Sequence, residues 1–82
     1  MSIEAIATTL SEVRAEILAA HHDVRAARVR LAEAVELLTE LSRNHPESLV
    51  PPGFSQADEQ LSGGLESLAG SLAAIERFQN GL

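Results

Sequence analysis

Apolar side chains recur at intervals of three and four residues along the first half of the chain. With Ile3 taken as position a of a seven-residue repeat, every a and every d position as far as residue 41 is apolar. The a positions are Ile3, Leu10, Ile17, Val24, Leu31 and Leu38, and the d positions are Ile6, Val13, Ala20, Ala27, Ala34 and Leu41. Six consecutive repeats are typical of a coiled-coil helix. The pattern predicts one long helix over residues 3–43, with Ser2 as its N-cap and Thr9, followed by Glu12, as a competing start.

A proline-rich connector interrupts the helical pattern at residues 45–55. Pro46 disfavours helical geometry at the residue before it, and the Pro-Pro-Gly sequence that begins at residue 51 disfavours a helix there. We expect the apolar residues Leu49, Val50 and Phe54 to fold back over the end of a helix pair. A second interpretation is that this segment is bound as a polyproline II helix by another protein.

A second helical pattern covers residues 56–80 and ends near Asn80–Gly81, a normal C-terminal signal. Ser55 is its predicted N-cap, and two acidic residues follow in the first turn, where they favour the helix dipole. Gly63 and Gly64 weaken this helix, because each glycine costs about 1 kcal/mol relative to alanine. A kink there, or a start as late as Leu65, is therefore the alternative.

Two helices joined by a short connector are expected to lie side by side in opposite directions. The sequence thus predicts an all-α fold, a two-helix antiparallel coiled-coil hairpin that forms a single domain over residues 1–82. Its core is predicted to contain Ala27, Leu31, Ala34, Leu38 and Leu41 from helix 1, and Leu61, Leu65, Leu68, Leu72 and Ile75 from helix 2.

The predicted helices differ in length, and this difference points to self-association. At about 1.5 Å per residue, helix 2 would end beside residue 19 of helix 1. The apolar stripe before that point would stay in water, which forfeits about 1.5–3 kcal/mol of burial for each leucine-sized side chain. We therefore expect a homodimer, in the form of a four-helix bundle. Its predicted interface consists of Ile3, Ile6, Leu10, Val13, Ile17, Ala20 and Val24.

The charges beside the apolar stripe favour a parallel dimer weakly. Position g faces position e of the next repeat in a parallel pair, which places Glu16 beside His21 and Asp23 beside Arg28. Such exposed pairs contribute only about 0.2–1 kcal/mol each. Glu76 of helix 2 competes for the same basic row within the chain.

Small side chains form two rows on which another helix could approach closely. In helix 1 this row is made by the alanines at successive d positions. In helix 2 it is made by Gly63, Ser67, Gly70 and Ala74. The helix 2 row is interpreted either as a solvent-facing surface or as a candidate docking face for a further helix.

Composition narrows the classes of partner. The chain carries 12 acidic and 6 basic side chains, all six of them arginine, for a net charge of -6. Phosphate backbones and anionic membranes repel such a chain, so we expect neither as a partner. There are no cysteines, so a chain of this size gains no stability from disulfides, and oligomerisation is the expected route.

The sequence predicts no catalytic, metal or cofactor site. His21 and His22 are adjacent, so their side chains point about 100° apart on a helix and cannot share one ion. His45 is isolated in the connector, and the arginines at residues 25–30 lie close to glutamates that suit a surface salt network. We therefore expect a non-enzymatic protein. No basic leader or apolar membrane segment is visible, which predicts a cytoplasmic protein, with leaderless export as the alternative.

The hairpin size and the alanine-rich acidic composition resemble the small WXG-type proteins exported by type VII secretion, although the turn here reads Pro52, Gly53 and Phe54. Those proteins carry Trp-x-Gly in the turn and Tyr-x-x-x-Asp/Glu after helix 2, and this chain has neither Trp nor Tyr. The helix–HPESLVPP–helix order more closely resembles short actinobacterial helical-hairpin proteins of unassigned function. The resemblance implies a bacterial protein and no particular activity. The expected function is a homodimeric structural or protein-interaction module. The alternative is a type VII-like secreted protein that pairs with another small helical chain.

Overall fold

The computed structural model describes residues 2–82, which form two helices packed side by side in opposite directions. Helix α1 spans Ile3–Ser42 and helix α2 spans Gly53–Asn80. The hairpin measures 65 × 16 × 14 Å and has a radius of gyration of 19.0 Å, against about 12 Å for a compact domain of this length. Residues 2–82 contain no β-strand. The predicted all-α hairpin is therefore confirmed.

Helix α1 begins at Ile3 and has Ser2 as its N-cap residue. The Ser2 hydroxyl oxygen accepts a hydrogen bond from the backbone N–H of Ala5 at 3.0 Å, which satisfies one of the amide groups left free at a helix start. The helix then continues through Thr9 without a break for 40 residues. It ends just ahead of Pro46, where the N–H of the capping residue Arg43 bonds to the carbonyl of Glu40. Ser2 is thus the N-cap, and Thr9 is not.

The connector turns back along the last turns of α1 and is joined to them by one hydroxyl group. The Ser42 hydroxyl donates to the carbonyl of Leu38 at 2.6 Å and accepts from the backbone N–H of Leu49 at 2.8 Å. Val50 and Phe54 are half-buried, whereas Leu49 remains 38% exposed. The connector therefore covers part of α1, as its apolar residues predicted, and occupies space that α2 would otherwise fill.

Helix α2 begins at Gly53, three residues before the predicted start, and Ser55 lies inside the helix rather than at its N-cap. The residue at the N-cap position is Pro52, with φ -58 and ψ -29, and no side chain caps the helix. Proline fits the start of a helix because its φ is already helical and it has no N–H to leave unpaired. The N–H of Phe54 bonds to the carbonyl of Pro51 at 3.1 Å. The prolines therefore start the helix instead of delaying it.

Gly63 and Gly64 do not interrupt α2, which continues as one helix to Asn80. No glycine in residues 2–82 has a positive φ. A Cβ atom built on Gly63 or Gly64 would meet no atom of α1 or of the connector within 4 Å. Nothing inside the hairpin therefore requires glycine at either position.

The two helices overlap further than their lengths predicted. Glu76 forms an ion pair with Arg14 at 3.1 Å, and the Gln79 amide donates to the Ser11 hydroxyl at 3.4 Å. The prediction that α2 would end beside residue 19 is therefore wrong. The connector runs back along α1 before α2 starts, which moves the whole of α2 toward the N-terminus of α1. These contacts place the end of α2 beside about residue 10 of α1, so only the first two turns of α1 extend past it.

Candidate interaction surfaces

Helix α2 packs over the a row of α1 and lies closer to its e row than to its d row. The e residues Ala7, Arg14, His21 and Val35 are half-buried, as are all a residues from Leu10 to Leu38. Of the d residues, Val13 and Leu41 are 37% and 65% exposed and Ala27 is exposed, whereas Ile6, Ala20 and Ala34 are half-buried. On α2 the packed row continues at spacings of three and four and consists of Phe54, Asp58, Leu61, Leu65, Leu68, Leu72, Ile75 and Gln79, all half-buried.

All polar contacts between the two helices lie on one side of the hairpin. Arg28 Nε donates to an Asp58 carboxylate oxygen at 2.8 Å and its Nη2 to the other oxygen at 3.3 Å. The Arg14–Glu76 and Gln79–Ser11 contacts lie along the same side. The hydrogen bond from Arg28 holds the pKa of Asp58 below its usual value, and the same bond raises the pKa of Arg28. The expected competition of Glu76 for the basic row of α1 is confirmed.

An open groove of about 710 Å³ lies on this side near the connector, and we call this side the groove face. Its apolar lining is contributed by α1, the connector and α2, and consists of Val29, Leu31, Ala32, Val35, Val50, Phe54 and Leu65. Charged residues at its edge are Arg25, Arg28, Glu36 and Asp58. Two of these four charges already neutralise each other across the helices. The groove is therefore apolar with a nearly balanced rim.

The opposite side, which we call the alanine face, is made by residues that lie one position before the e row of α1 and the equivalent row of α2. One residue rotates a helix by about 100°, which carries these side chains to the other side of the pair. In α1 they are the d residues Ile6, Val13, Ala20, Ala27, Ala34 and Leu41. In α2 they are Ala57, Gly64, Ser71 and Phe78, bordered by Gln60, Ser67 and Ala74.

The alanine face exposes apolar side chains at its ends and carries no charge on α2. Val13 is 37%, Leu41 65% and Phe78 56% exposed, and the neighbouring g residue Leu37 is 68% exposed. The charged residues of α2, Asp58, Glu59, Glu66, Glu76 and Arg77, all lie on other sides of the helix. The five charges of α2 therefore leave one side of this helix uncharged.

The residues that were predicted to form interfaces lie on different surfaces of the hairpin. Leu10, Ile17 and Val24 of the predicted dimer interface are half-buried in the a row, so they contribute to the hairpin. Ile6, Val13 and Ala20 lie on the alanine face, and Ile3 is 65% exposed beyond the overlap. In the predicted docking face, Ser67 and Ala74 border the alanine face. Gly63 and Gly70 are rotated further away and are exposed.

Two residues assigned to the hairpin core are exposed instead. Ala27 and Leu41 are d residues, and α2 covers the d row only in part. Leu41 also lies beyond the start of α2, where only the connector covers α1. The other eight predicted core residues are half-buried: Leu31, Ala34, Leu38, Leu61, Leu65, Leu68, Leu72 and Ile75. Phe78 was not predicted to belong to any interaction surface, although it lies seven residues after Ser71 and fourteen after Gly64, on the same row of α2.

The hairpin buries little of its own surface. No side chain in residues 2–82 is fully buried, and the accessible surface is 6225 Å². A compact monomer with this chain mass of 8.7 kDa would expose about 4,700 Å², so each copy exposes about 1,500 Å² more than expected. This surplus includes the apolar side chains at the ends of the alanine face.

Residues 2–82 contain no group of three or more histidine, aspartate or glutamate side chains arranged to hold a metal ion. His21 is half-buried in the e row, whereas His22 and His45 are exposed. Neither helix, over the same residues, is both long and apolar enough to cross a lipid bilayer. Comparison with protein families, with curated proteins and with solved structures finds no match to this chain.

Proposed function

We propose that this protein is a non-catalytic protein-interaction module that forms a homodimer through the apolar stripe of α1. The observation that carries the proposal is the absence of a fully buried side chain anywhere in residues 2–82, together with an accessible surface of 6225 Å². Small domains that cannot complete a core from their own chain gain stability from disulfides, metals or oligomers. The sequence has no cysteine, and oligomerisation removes apolar surface from water directly.

The alanine face is the part of the stripe that remains open for this dimer. The a residues of α1 already pack against α2, whereas the d residues Val13 and Leu41 still expose 37% and 65% of their surface. Burial of a leucine-sized side chain contributes about 1.5–3 kcal/mol. A second copy offers the same apolar row, so two alanine faces are complementary in chemistry.

The test is the mass of the purified protein in solution, measured by light scattering after size exclusion over a dilution series. We expect twice the chain mass of 8.7 kDa. Val13→Asp places a charge on the alanine face and should shift the protein to the monomer. Leu18→Asp is the matched control, because Leu18 is similarly exposed at 45% on the same part of α1 but lies toward the groove face.

A well-folded wild-type monomer at micromolar concentration would falsify the homodimer. Dissociation by Leu18→Asp but not by Val13→Asp would move the interface to the groove face and contradict the surface that we assign. Helical content, measured by circular dichroism on the same samples, separates dissociation of a folded hairpin from unfolding. Preferential co-purification of a different helical protein would support a heterodimer partner instead.

A further inference from the structure

We propose that two copies pair antiparallel through their alanine faces, around a two-fold axis at the level of residues 26–27 of α1. This inference rests on the proposed function and adds to it the orientation, the register and the charge pairs of the dimer. The partner is a second copy of the same chain. The groove face stays on the outside of this assembly.

The charges beside the alanine row of α1 are self-complementary only in the antiparallel orientation. Asp23 and Arg30 occupy successive g positions, and both are exposed. Neither takes part in an ion pair within residues 2–82, where the pairs are Arg14–Glu76, Arg28–Asp58 and Arg43–Glu40. Residues 23 and 30 lie equally far from residues 26–27, so an antiparallel partner brings its arginine to each aspartate. The two-fold axis creates this contact twice.

A parallel dimer through the same face gives these charges no partner of opposite sign. A two-fold axis parallel to the helices places the g rows of the two copies on opposite sides of the interface, so Asp23 and Arg30 do not meet each other across it. The parallel pairing of g with e that the sequence favoured needs Arg28 as a partner for Asp23. That arginine is bonded to Asp58 through two nitrogen atoms, and its row faces α2. The structure thus removes the partners on which the parallel orientation depends.

The same two-fold axis brings the uncharged sides of the two α2 helices together. Helix α2 and the alanine face lie roughly a quarter turn apart around α1, because about 100° separates successive residues. An axis perpendicular to the paired α1 helices keeps both copies of α2 on one side of that pair, which closes a square four-helix bundle. The facing row of α2 is then Ala57, Gly64 and Ser71, with Gln60, Ser67 and Ala74 beside it.

The position of Gly64 gives an independent reason for this register. Glycine inside a helix is less favourable than alanine, and a Cβ at Gly64 would meet no atom of α1 or of the connector within 4 Å. The Arg28–Asp58 and Arg14–Glu76 contacts place Ala27 beside roughly residues 59–63 of α2, one to five residues before Gly64. The small residues of α1 and α2 therefore lie near the same axis, where the four helices come closest.

The area and the end residues agree with such an interface. A standard protein interface buries about 800 Å² per partner, which is less than the surplus of about 1,500 Å² that each hairpin exposes. In the antiparallel register, Val13 of one copy approaches Leu41 of the other, and Phe78 lies at the same end of the alanine face. These three side chains are all more than one-third exposed in the single hairpin. Pairing removes both apolar ends of the alanine face from water.

Cysteine cross-linking tests the orientation without interference, since the chain has no cysteine of its own. Ala27→Cys should cross-link to itself with a thiol reagent that spans less than about 10 Å, because the two copies lie beside the axis. Ala20→Cys alone and Ala34→Cys alone should not cross-link, because each residue lies about 20 Å from the same residue of the other copy, measured along the paired α1 helices. A mixture of the Ala20→Cys and Ala34→Cys proteins should cross-link to each other.

A charge reversal tests the two ion pairs. Asp23→Arg and Arg30→Asp, each made alone, should raise the dissociation constant of the dimer about tenfold or more, because both symmetric pairs become repulsive. The double reversal Asp23→Arg/Arg30→Asp should restore it to within about threefold. Arg25→Asp is the matched control, since it changes the net charge as Arg30→Asp does but lies at the groove. It should leave the constant within about twofold.

These experiments distinguish an error in the antiparallel register from an error in the proposed homodimer. Self-cross-linking at Ala20, Ala27 and Ala34 alike, in a dimer of the expected mass, would show an in-register parallel pair and overturn the antiparallel register alone. Failure of the double reversal to recover affinity would overturn the Asp23–Arg30 contact in the same way. A wild-type protein that remains monomeric would instead overturn the proposed function itself, before any variant is made.

Discussion

The Ser42 hydroxyl bonds the connector to the end of α1, and Ser42→Ala should lower the stability of the hairpin measurably. This hydroxyl is the acceptor for the backbone N–H of Leu49 at 2.8 Å, seven residues away, and it also donates to the carbonyl of Leu38 at 2.6 Å. The Leu38 carbonyl keeps its helical partner when the hydroxyl is removed. The substitution therefore lowers stability mainly because the backbone N–H of Leu49 loses its acceptor.

The magnitude follows from two opposing effects. A typical hydrogen bond of this kind contributes about 0.5–1.5 kcal/mol to stability. Alanine is a better helix former than serine by up to about 0.5 kcal/mol, and less than that at the last residue of a helix. The net destabilisation is about 0.5–1 kcal/mol, which corresponds to a fall in Tm of about 3–6 °C for a chain of this size.

Thr39→Ala is the matched control for Ser42→Ala. The Thr39 hydroxyl also donates to a carbonyl four residues earlier, that of Val35 at 2.7 Å, but it contacts no part of the connector. This substitution should leave the Tm unchanged or raise it by up to about 3 °C, because only the propensity effect remains. Thermal melts followed by far-UV circular dichroism, at equal protein concentration, measure both. Equal Tm values for the two variants would refute a role for the Ser42–Leu49 bond.

Three further changes probe other parts of the hairpin. Asp58→Asn should lower the Tm above pH 3.8, and the gap to wild type should close as the pH falls below 3.8, because a carboxylate whose pKa is depressed in the folded state loses its contribution on protonation. Ser2→Ala should speed amide exchange in residues 3–10 and leave the Tm nearly unchanged, since the lost cap stabilises only a segment beyond α2. Gly70→Ala should raise the Tm by about 3–6 °C, because a Cβ there meets open space.

Each of these has its own control or contrary result. Glu59→Gln removes a neighbouring carboxylate that forms no ion pair in residues 2–82, and a closing gap of equal size there would contradict the Asp58 explanation. A Ser2→Ala protein with a clearly lower Tm would mean that the first turns of α1 contribute to the stability of the whole hairpin. An unchanged or lower Tm for Gly70→Ala would mean that this glycine has a contact outside the single chain.

Much of the fold could be predicted from the spacing of apolar residues alone. The repeat from Ile3 to Leu41 predicted a single long α1, and the row from Leu61 to Ile75 predicted a second helix. The errors came from local chemistry. Pro52 and Gly53 look like helix breakers, yet proline at a helix start costs no hydrogen bond, so α2 begins at Gly53 and Ser55 is not its cap.

The interaction surface was harder to predict, because the a and d repeat does not say which edge of the a row the partner helix occupies. Arg14 and Arg28 at e positions looked like charges that flank a coiled-coil seam. In the structure they pair with Glu76 and Asp58 across the hairpin, so α2 lies toward the e edge and covers the d edge only in part. The acidic residues of α2 at matching positions were the signal that could have shown this.

The absence of a fully buried side chain in residues 2–82 has a consequence for how the amount of this protein is controlled. If half of the core comes from a second copy, folding becomes a reaction between two chains, and each tenfold change in concentration shifts its free energy by about 1.4 kcal/mol. A chain produced at a low level then stays largely open to proteolysis, whereas the same chain above a threshold level protects itself. The rate of synthesis would thus act as a switch for the folded population, without a ligand or a modification.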